Sequence, residues 1–158
     1  MAPRAANPHS SRARSSSPKV KRIFSEAIPS ATHAVEPVVA RVLDVLGESG
    51  CMNGQPEGIE LALREALANA ILHGNQGNPR KRVQVDCFQQ DDASIVLVVR
   101  DQGRGFDPAL LEDPTKSENI YRACGRGIFL IRHFMDEVRF LRGGREVRMR
   151  KNPSYRSN

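Results

Sequence analysis

The stretch LREALANAILHGN, residues 63–75, decides the fold because it reads as a helix with two polar side chains on its apolar surface. At about 100° per residue, Glu65 and Asn69 lie next to each other. The residues that flank them on this surface are apolar: Leu61, Ala62, Ala66 and Leu72. The ordinary charged pair of the helix, Glu60 with Arg64, lies on the far side at i,i+4 spacing. Since unpaired burial of a carboxylate or an amide costs roughly several kcal/mol, the first pair requires an explanation.

The composition indicates one domain with a neutral body. The chain has 158 residues and a net charge of +6. Six of its 24 basic residues fall within the first 22 positions, where there is no acidic residue, so the remainder has 18 basic and 18 acidic residues. A basic tail is not a basic groove, and the chain has few aromatic residues and no Trp to stack on bases. These features argue against direct nucleic-acid binding.

The cysteine pattern and the apolar runs indicate the compartment. Cys51, Cys87 and Cys124 are odd in number, far apart and not at metal-ligand spacing, which fits a reducing cytosol. The apolar runs are shorter than the roughly 18 to 20 residues that span a bilayer, and the Arg/Ser-rich start is not followed by the apolar stretch of a secretory signal. We therefore expect a cytoplasmic protein that does not bind membranes.

Hydrophobic periodicity predicts three segments and eight elements. Residues 1–18 form a predicted disordered basic tail, residues 19–152 a single domain, and residues 153–158 a flexible C-terminus. Within the domain the predicted order is β-α-α-β-β-α-β-β. This order predicts an α+β fold, a two-layer sandwich whose mixed, mostly antiparallel sheet has its helices on one face.

Three elements carry specific expectations. Ser30 or Thr32 is expected to cap the first long helix, whose apolar stripe runs through residues 35–46. The segment ASIVLVVRD, residues 93–101, is apolar on both faces and is expected to be a central strand. The last helix is expected to carry its apolar residues from Ile128 to Val138.

Glu65 and Asn69 form the first of three clusters that could carry chemistry. They are either a buried polar pair satisfied by backbone or water, or the lining of a site for a charged ligand. In the second case Asn69 would offer a neutral oxygen to Mg²⁺, which takes one or two protein oxygens when phosphates supply the rest, and Glu65 would take a proton. His73 continues the same stripe, although a histidine beside a helix end is more often a cap than a catalyst.

The second cluster, RDQGRGFD at residues 100–107, follows the predicted central strand. Its two glycines could mean only a tight turn. Alternatively, Asp101 at the strand end could accept a hydrogen bond from the exocyclic amine of adenine while a flat ring approaches the glycine backbone. The segment matches neither the Walker A pattern nor the dinucleotide-binding fingerprint.

The third cluster, CGRGIFLI at residues 124–131, places Gly125 and Gly127 at a helix start. It could be a glycine-rich linker. It could also bind phosphate, since free N–H groups and the helix dipole attract anions there. Cations that could reach a polyphosphate lie within or before it: Arg104, Lys116, Arg122 and Arg126.

In this order the three clusters resemble the motifs of the GHKL, or Bergerat-fold, ATPase superfamily. Glu65-x-x-x-Asn69 resembles the N box, Asp101-x-Gly103-x-Gly105-Phe106 the G1 box, and Gly125-x-Gly127 the G2 box, with residues 107–124 as the lid over the nucleotide. The resemblance covers residues 20–150. The segments around the N and G2 boxes are most similar to the anti-sigma-factor serine/threonine kinases.

The resemblance implies a regulatory kinase that uses ATP and Mg²⁺. Glu65 would be the catalytic base and Asn69 the Mg²⁺ ligand. The positions that match nucleotide-contacting residues are Asn69, His73, Asp101, Gly103, Arg104, Gly105, Phe106, Gly125, Arg126, Gly127 and Ile128. Arg126 departs from the Leu or Met that is frequent at this position in the relatives.

The implied partners are a sigma factor, which the protein would sequester, and an anti-anti-sigma protein of the STAS type, which it would phosphorylate. A homodimer is a further implication of the resemblance. The alternative is a GHKL module that binds ATP and regulates another partner without phosphoryl transfer, or that hydrolyses ATP with water in place of the hydroxyl.

Overall fold

A five-stranded sheet forms one layer of the domain in the computed structural model, which describes residues 19–51, 56–107 and 125–153. The strands are β1 (Val20–Pro29), β2 (Arg82–Gln90), β3 (Ile95–Arg100), β4 (Glu137–Leu141) and β5 (Glu146–Lys151). Their spatial order is β1-β2-β3-β5-β4. All four pairings between these strands are antiparallel, so the sheet of the described residues is antiparallel where a mixed sheet was expected.

Three helices of the described residues form the second layer, and the predicted α+β sandwich is confirmed. They are α1 (Val35–Glu48), which follows a 3₁₀ turn at Thr32–Ala34, α2 (Pro56–Ala68), and α3 (Gly125–Phe134). A π-helix, Asn69–Gly74, continues α2 without a break. Helix α2 packs against both α1 and α3, which places the Glu65 segment at the centre of the helical layer.

The core lies between the two layers. Strand β3 is the middle strand, and all five of its residues from Ile95 to Val99 are buried, as its apolar sequence predicts. Fully buried side chains on the helical side include Val42, Leu46, Leu63, Leu67, Val85, Leu97 and Met149. At about 25 cal/mol per Å² of buried apolar surface, this interface supplies most of the driving force for folding.

The expected cap of the first helix is wrong. The residues at the N-cap positions are Ala31 for the 3₁₀ turn and Ala34 for α1, and alanine has no side-chain acceptor. Ser30 is buried, its N–H donates to the Lys81 carbonyl at 3.1 Å, and its hydroxyl has no hydrogen-bond partner within the described residues. The sheet edge therefore holds Ser30 away from the helix.

The last helix is also shorter than its pattern predicts. It ends at Phe134, and the Met135 N–H still donates to the Ile131 carbonyl at 3.0 Å. Val138 lies in β4, where it pairs with Met149. Val138 and Met149 both face the core. Because Val138 would be buried in a strand or in a continued helix, hydrophobic periodicity alone cannot decide between the two elements.

The face of the sheet opposite the helices is rich in arginine. The strand registers place six there: Arg22, Arg82, Arg100, Arg139, Arg148 and Arg150. The carboxylates on this face are Asp86, Glu137 and Glu146. Glu146, nearly fully buried, accepts from Arg100 at 2.9 Å. We call this surface the arginine face.

The helices of the described residues are too short or too polar to cross a membrane.

Candidate functional site

Glu65, Asn69 and Gly127 come together where α2 meets α3. Glu65 and Asn69 are half-buried. A Cβ added to Gly127 would lie 2.6 Å from Glu65 Oε2, and 3.4 and 3.5 Å from Nδ2 and Oδ1 of the Asn69 amide. Glycine lets the first turn of α3 approach this closely without displacing the end of the Glu65 side chain. The structure thus brings two of the three predicted clusters together.

The π-helix changes the surface that follows Asn69. Its wider winding begins at Asn69, and the Asn75 N–H donates five residues back to the Ala70 carbonyl at 2.8 Å. Leu72 is 51% exposed as a result, so its predicted place in the apolar surround of Glu65 is wrong. His73 is also exposed. The π-helix contains two residues of the first cluster, Asn69 and His73, and such turns occur frequently at functional sites.

Asp101 lies just after β3 in a partly buried position. Its N–H donates to the Arg145 carbonyl at 2.9 Å, and its Oδ1 accepts from the Gly103 N–H at 2.7 Å. Burial raises the pKa of the Asp101 carboxyl above its ordinary value, and the Gly103 N–H and the positive charges of Arg145 and Lys81 oppose this rise. The carboxylate is therefore held in one place with Oδ2 left for a further donor.

Two glycines surround the Asp101 carboxylate. A Cβ at Gly74 would overlap the carboxylate itself, and a Cβ at Gly103 would overlap the Gly74 carbonyl oxygen. The end of the π-helix and the loop after β3 are therefore in backbone contact around Asp101. A carboxylate between bare backbone segments suits a flat ligand that donates one hydrogen bond.

Asn75 is a residue of this site that the sequence analysis missed. It is fully buried, its Oδ1 accepts from the Gln102 N–H at 2.8 Å, and its Nδ2 donates to the Arg82 carbonyl at 3.0 Å. Its position in HGNQGNP reads simply as a helix stop. Its partners lie 7 and 27 residues along the chain, so local pattern carries no signal for its role.

Gly105 and Phe106 connect the loop to the β4–β5 hairpin. Gly105 has φ 78°, and a Cβ there would overlap the Gly143 carbonyl oxygen. The Phe106 N–H donates to that oxygen at 2.9 Å, and its ring meets Phe140 edge-on at 5.3 Å between centroids. Arg104 is exposed. Phe106 thus fastens the loop to the sheet.

The third cluster is described in part. Gly125 and Arg126 lie in the first turn of α3, and Ile128 is buried. The predicted lid, apart from Asp107, lies outside the described residues, together with Lys116, Arg122 and Cys124.

The described residues fit Mg²⁺ with a nucleotide better than a metal held by protein alone. They contain no group of three or more His, Cys, Asp or Glu side chains that could hold a metal ion. Mg²⁺ needs only one or two protein oxygens when phosphates supply the others, and the Asn69 amide lies beside a glycine at a helix start, where phosphate binds.

Fold and site together define an ATP-binding domain of the GHKL class. The chain belongs to the family described as the histidine kinase-like ATPase domain, which it matches over residues 28–151. The resemblance drawn from the N, G1 and G2 motifs is confirmed.

Its relatives are anti-sigma factors and serine kinases. An anti-sigma F factor from Heyndrickxia coagulans is 34% identical over 84 residues, which cover 51% of this chain and 56% of that protein. A serine-protein kinase RsbW from Staphylococcus epidermidis is 31% identical over 117 residues, which cover 70% of this chain and 74% of that protein. An anti-sigma F factor from Oceanobacillus iheyensis is 35% identical over 83 residues. The chain spans a little over half the length of the two anti-sigma F factors.

Proposed function

We propose that the protein is an anti-sigma regulatory factor with ATP-dependent serine/threonine kinase activity. It sequesters a sigma factor and phosphorylates an anti-anti-sigma partner of the STAS type in the cytoplasm. The observation that carries this proposal is the contact of Gly127 with Glu65 and Asn69. A helix start that attracts phosphate lies directly against a carboxylate and a neutral amide oxygen. The names of the relatives support the same activity.

Bound ATP with Mg²⁺ supplies the γ-phosphoryl group and shields its charge. Asn69 holds the metal through its amide oxygen, and the N–H groups at the start of α3, at Gly125, Arg126 and Gly127, bind phosphate. Glu65 orients the hydroxyl of the partner's serine or threonine and takes its proton. Catalysis is then mostly positioning and charge neutralisation, as is general for phosphoryl transfer.

The other half of the site selects the base. Asp101 accepts a hydrogen bond from the exocyclic amine of adenine. The Gly103 N–H holds the carboxylate in place, and Gly105 lets the loop pack against the β4–β5 hairpin. Guanine carries a carbonyl oxygen where adenine carries its amine, so GTP should compete poorly. Asp101 is already hydrogen-bonded and partly buried, which supports a fixed recognition group.

The presence of Glu65 at the contact with α3 favours chemistry over a module that only binds ATP. A binding module needs Asn69 and the phosphate contacts, but it does not need a base directed at the same point. Glu65 serves a kinase and a hydrolase equally, because water can replace the serine hydroxyl. Whether the protein is a kinase or a hydrolase depends on which acceptor receives the phosphoryl group, so an experiment must distinguish the two.

The test is transfer of labelled γ-phosphate from ATP to candidate anti-anti-sigma proteins, run beside a sigma-factor binding assay. We expect label on a serine or threonine of one partner and ATP-dependent retention of one sigma factor. Candidates come from proteins that co-purify with the chain in its native cell. If the wild type labels no such partner but still binds its target in an ATP-dependent way, the kinase proposal is wrong and the non-kinase regulatory module replaces it.

A further inference from the structure

We propose that Asn75 is a positioning residue that fixes the Asp101 loop and thereby sets the preference for adenine over guanine. The inference rests on the proposed ATP site and extends it to a residue that lies outside the three motifs. Asn75 acts through Gln102 and has no contact of its own with the base.

Both ends of the Asn75 amide are in use. Oδ1 accepts from the Gln102 N–H at 2.8 Å and Nδ2 donates to the Arg82 carbonyl at 3.0 Å, in a side chain with 0% exposure. A buried amide with its donor and acceptor both satisfied is fixed in orientation, because any rotation leaves a polar atom unpaired.

Gln102 closes the network from the other side. Its Oε1 accepts from the Arg82 N–H at 2.8 Å. Arg82 thus donates to Gln102 and accepts from Asn75, while Gln102 donates to Asn75. Three bonds connect the end of the π-helix, the start of β2 and the loop after β3.

This ring of three hydrogen bonds includes two residues that are next to the proposed base-reading site. Gln102 follows Asp101, and Gly74, whose backbone lies against the Asp101 carboxylate, precedes Asn75. The N–H of Asp101 is held from the opposite direction by the Arg145 carbonyl at 2.9 Å. Loss of the Asn75 amide would release both the loop and the glycine that supports it.

A fixed position of the Asp101 carboxylate is what lets the site distinguish adenine from guanine, which are similar in size. A carboxylate held in place favours the adenine amine and opposes the guanine oxygen, because acceptor would meet acceptor. A site built to hydrogen-bond one group rejects an analogue strongly only while its own polar groups cannot turn away. A loosened loop lets the carboxylate withdraw toward solvent, so that ATP loses a bond and GTP loses a repulsion.

The experiment compares Asn75→Ala and Gln102→Ala with a matched control, Asn78→Ala. Asn78 lies in the same turn and is exposed, and its Oδ1 accepts from the Arg80 N–H at 3.0 Å without contacting the Asp101 loop. Titrations with ATP and with GTP, each with Mg²⁺, give the ratio of dissociation constants for each protein. They are run well below the melting temperature, because Asn75→Ala removes buried bonds and lowers stability.

We expect Asn75→Ala to weaken ATP about tenfold and to change GTP affinity by less than about twofold, so that the ATP preference falls at least about fivefold. Gln102 is exposed, so Gln102→Ala folds normally and shows a smaller loss in the same direction. Asn78→Ala should keep the wild-type ratio.

Two results would overturn the inference alone. One is an unchanged ATP preference in both Asn75→Ala and Gln102→Ala. The other is an equal loss in Asn78→Ala, which would mean that the turn as a whole, and not this ring of bonds, matters. Lack of ATP binding by the wild type is a different result, since it overturns the proposed function together with this inference.

Discussion

At the scale of single residues, the proposed site has a carboxylate and an amide one helical turn apart, to which we assign different roles. Glu65 can take a proton, and Asn69 cannot. Both lie against Gly127, so the two proposed roles would operate on the same bound group. Substitutions that keep shape while changing charge should therefore separate catalysis from binding.

We predict that Glu65→Gln keeps ATP binding and loses phosphoryl transfer. Glutamine preserves shape and hydrogen bonding, and removal of a negative charge near phosphate leaves ATP affinity equal or slightly higher. Transfer should fall by about 10²–10⁴-fold, the usual range for a general base, or less if the loose transition state needs little help. The measurement is γ-phosphate transfer beside nucleotide titration.

Two further variants sharpen this test. Asn69→Ala should lose Mg²⁺ and weaken both binding and transfer. Glu57→Gln, which removes an exposed carboxylate from the first turn of the same helix, should alter neither. Equal transfer by Glu65→Gln and wild type would remove Glu65 from the chemistry.

Asp101→Asn should weaken ATP and stabilise the fold at the same time. An amide that presents its NH₂ meets the adenine amine as donor against donor, and losing a hydrogen bond to a charged group costs about 1.5–3 kcal/mol, or roughly 10- to 150-fold in affinity. Calorimetric titration measures this loss. Tight ATP binding by the variant would contradict the assignment of Asp101 to the base.

The effect on stability follows from the direction of the pKa shift. Burial raises the pKa of Asp101 above its unfolded value, so the folded protein binds this proton more tightly than the unfolded chain does. The folded state is therefore penalised as pH rises above the ordinary Asp pKa and through the raised one, and the penalty remains at neutral pH. Asp101→Asn should raise the melting temperature at pH 7 relative to wild type and by less at pH 4.

The pKa of Asp92 is shifted in the opposite direction. Hydrogen bonds from Ser94 lower its pKa, so its contribution to stability is present above the unfolded pKa and is lost in acid. Asp92→Asn should lower the melting temperature slightly at neutral pH and leave ATP affinity unchanged. A rise in both Asn variants would show that removing negative charge in general, and not burial, explains the effect.

At the scale of elements, the order of strands and helices was predictable because each has a strong local period. The apolar run of β3 correctly predicts the middle strand, and the Glu60–Arg64 pair at 2.7 Å is where helical spacing predicts it. The π-helix was not predictable, since one wider turn leaves the α period almost intact. Val138 was assigned to the last helix because that helix and the following strand, β4, bury apolar residues in the same core.

The candidate site was predictable only where spacing is local. Glu65 and Asn69 are four residues apart, and helical geometry alone pairs them. The contact of Gly127 with this pair, and the ring around Asn75, join residues that are distant in sequence. Such contacts depend on how elements pack, so a single sequence carries them only through resemblance to a family.

We predict that Gly127→Ala impairs phosphoryl transfer while leaving the fold intact. The added methyl group would lie 2.6 Å from Glu65 Oε2, so the flexible end of Glu65 must move away. Alanine also favours a helix interior by about 0.5–1 kcal/mol over glycine, which offsets the crowding. Transfer should fall at least about tenfold, with the melting temperature within a few degrees of wild type.

Gly47→Ala is the matched control for this prediction. Gly47 lies in α1 with nothing within 4 Å of an added Cβ. This variant should gain up to about 1 kcal/mol of stability and keep full transfer activity. Normal transfer by Gly127→Ala would show that the close approach of α3 to Glu65 is not needed for chemistry.

At the scale of the whole molecule, one thiol lies inside the contact between the two layers. Cys87 is fully buried on the helical side of β2, and burial, with a smaller effect of Cys51, raises its pKa to about 12. A thiol with this pKa is almost entirely protonated at neutral pH, and only the thiolate is reactive. Cys87 therefore becomes available when the layers separate.

We predict that Cys87 reports global unfolding. In a Cys124→Ser background, an alkylating reagent should label the partly exposed Cys51 quickly, and Cys87 only at the rate at which the whole domain opens. Mass spectrometry of peptides separates the two sites. Addition of ATP and Mg²⁺ should slow labelling of Cys87 more than that of Cys51, because a ligand that binds only the folded state stabilises it. Fast labelling of native Cys87 would contradict the prediction.

The arginine face affects how two copies of the chain can meet. Guanidinium groups keep their charge at every pH at which a protein folds. In a two-fold symmetric dimer each patch meets itself. Pairing through this face would bring six arginines toward six more, against three strand carboxylates and Asp92, which pairs with Arg150, on each side. Dissolved salt screens this repulsion, because the Debye length is only about 10 Å at 0.1 M ionic strength. A dimer built on this face would therefore tighten as ionic strength rises, the reverse of an interface held by ion pairs.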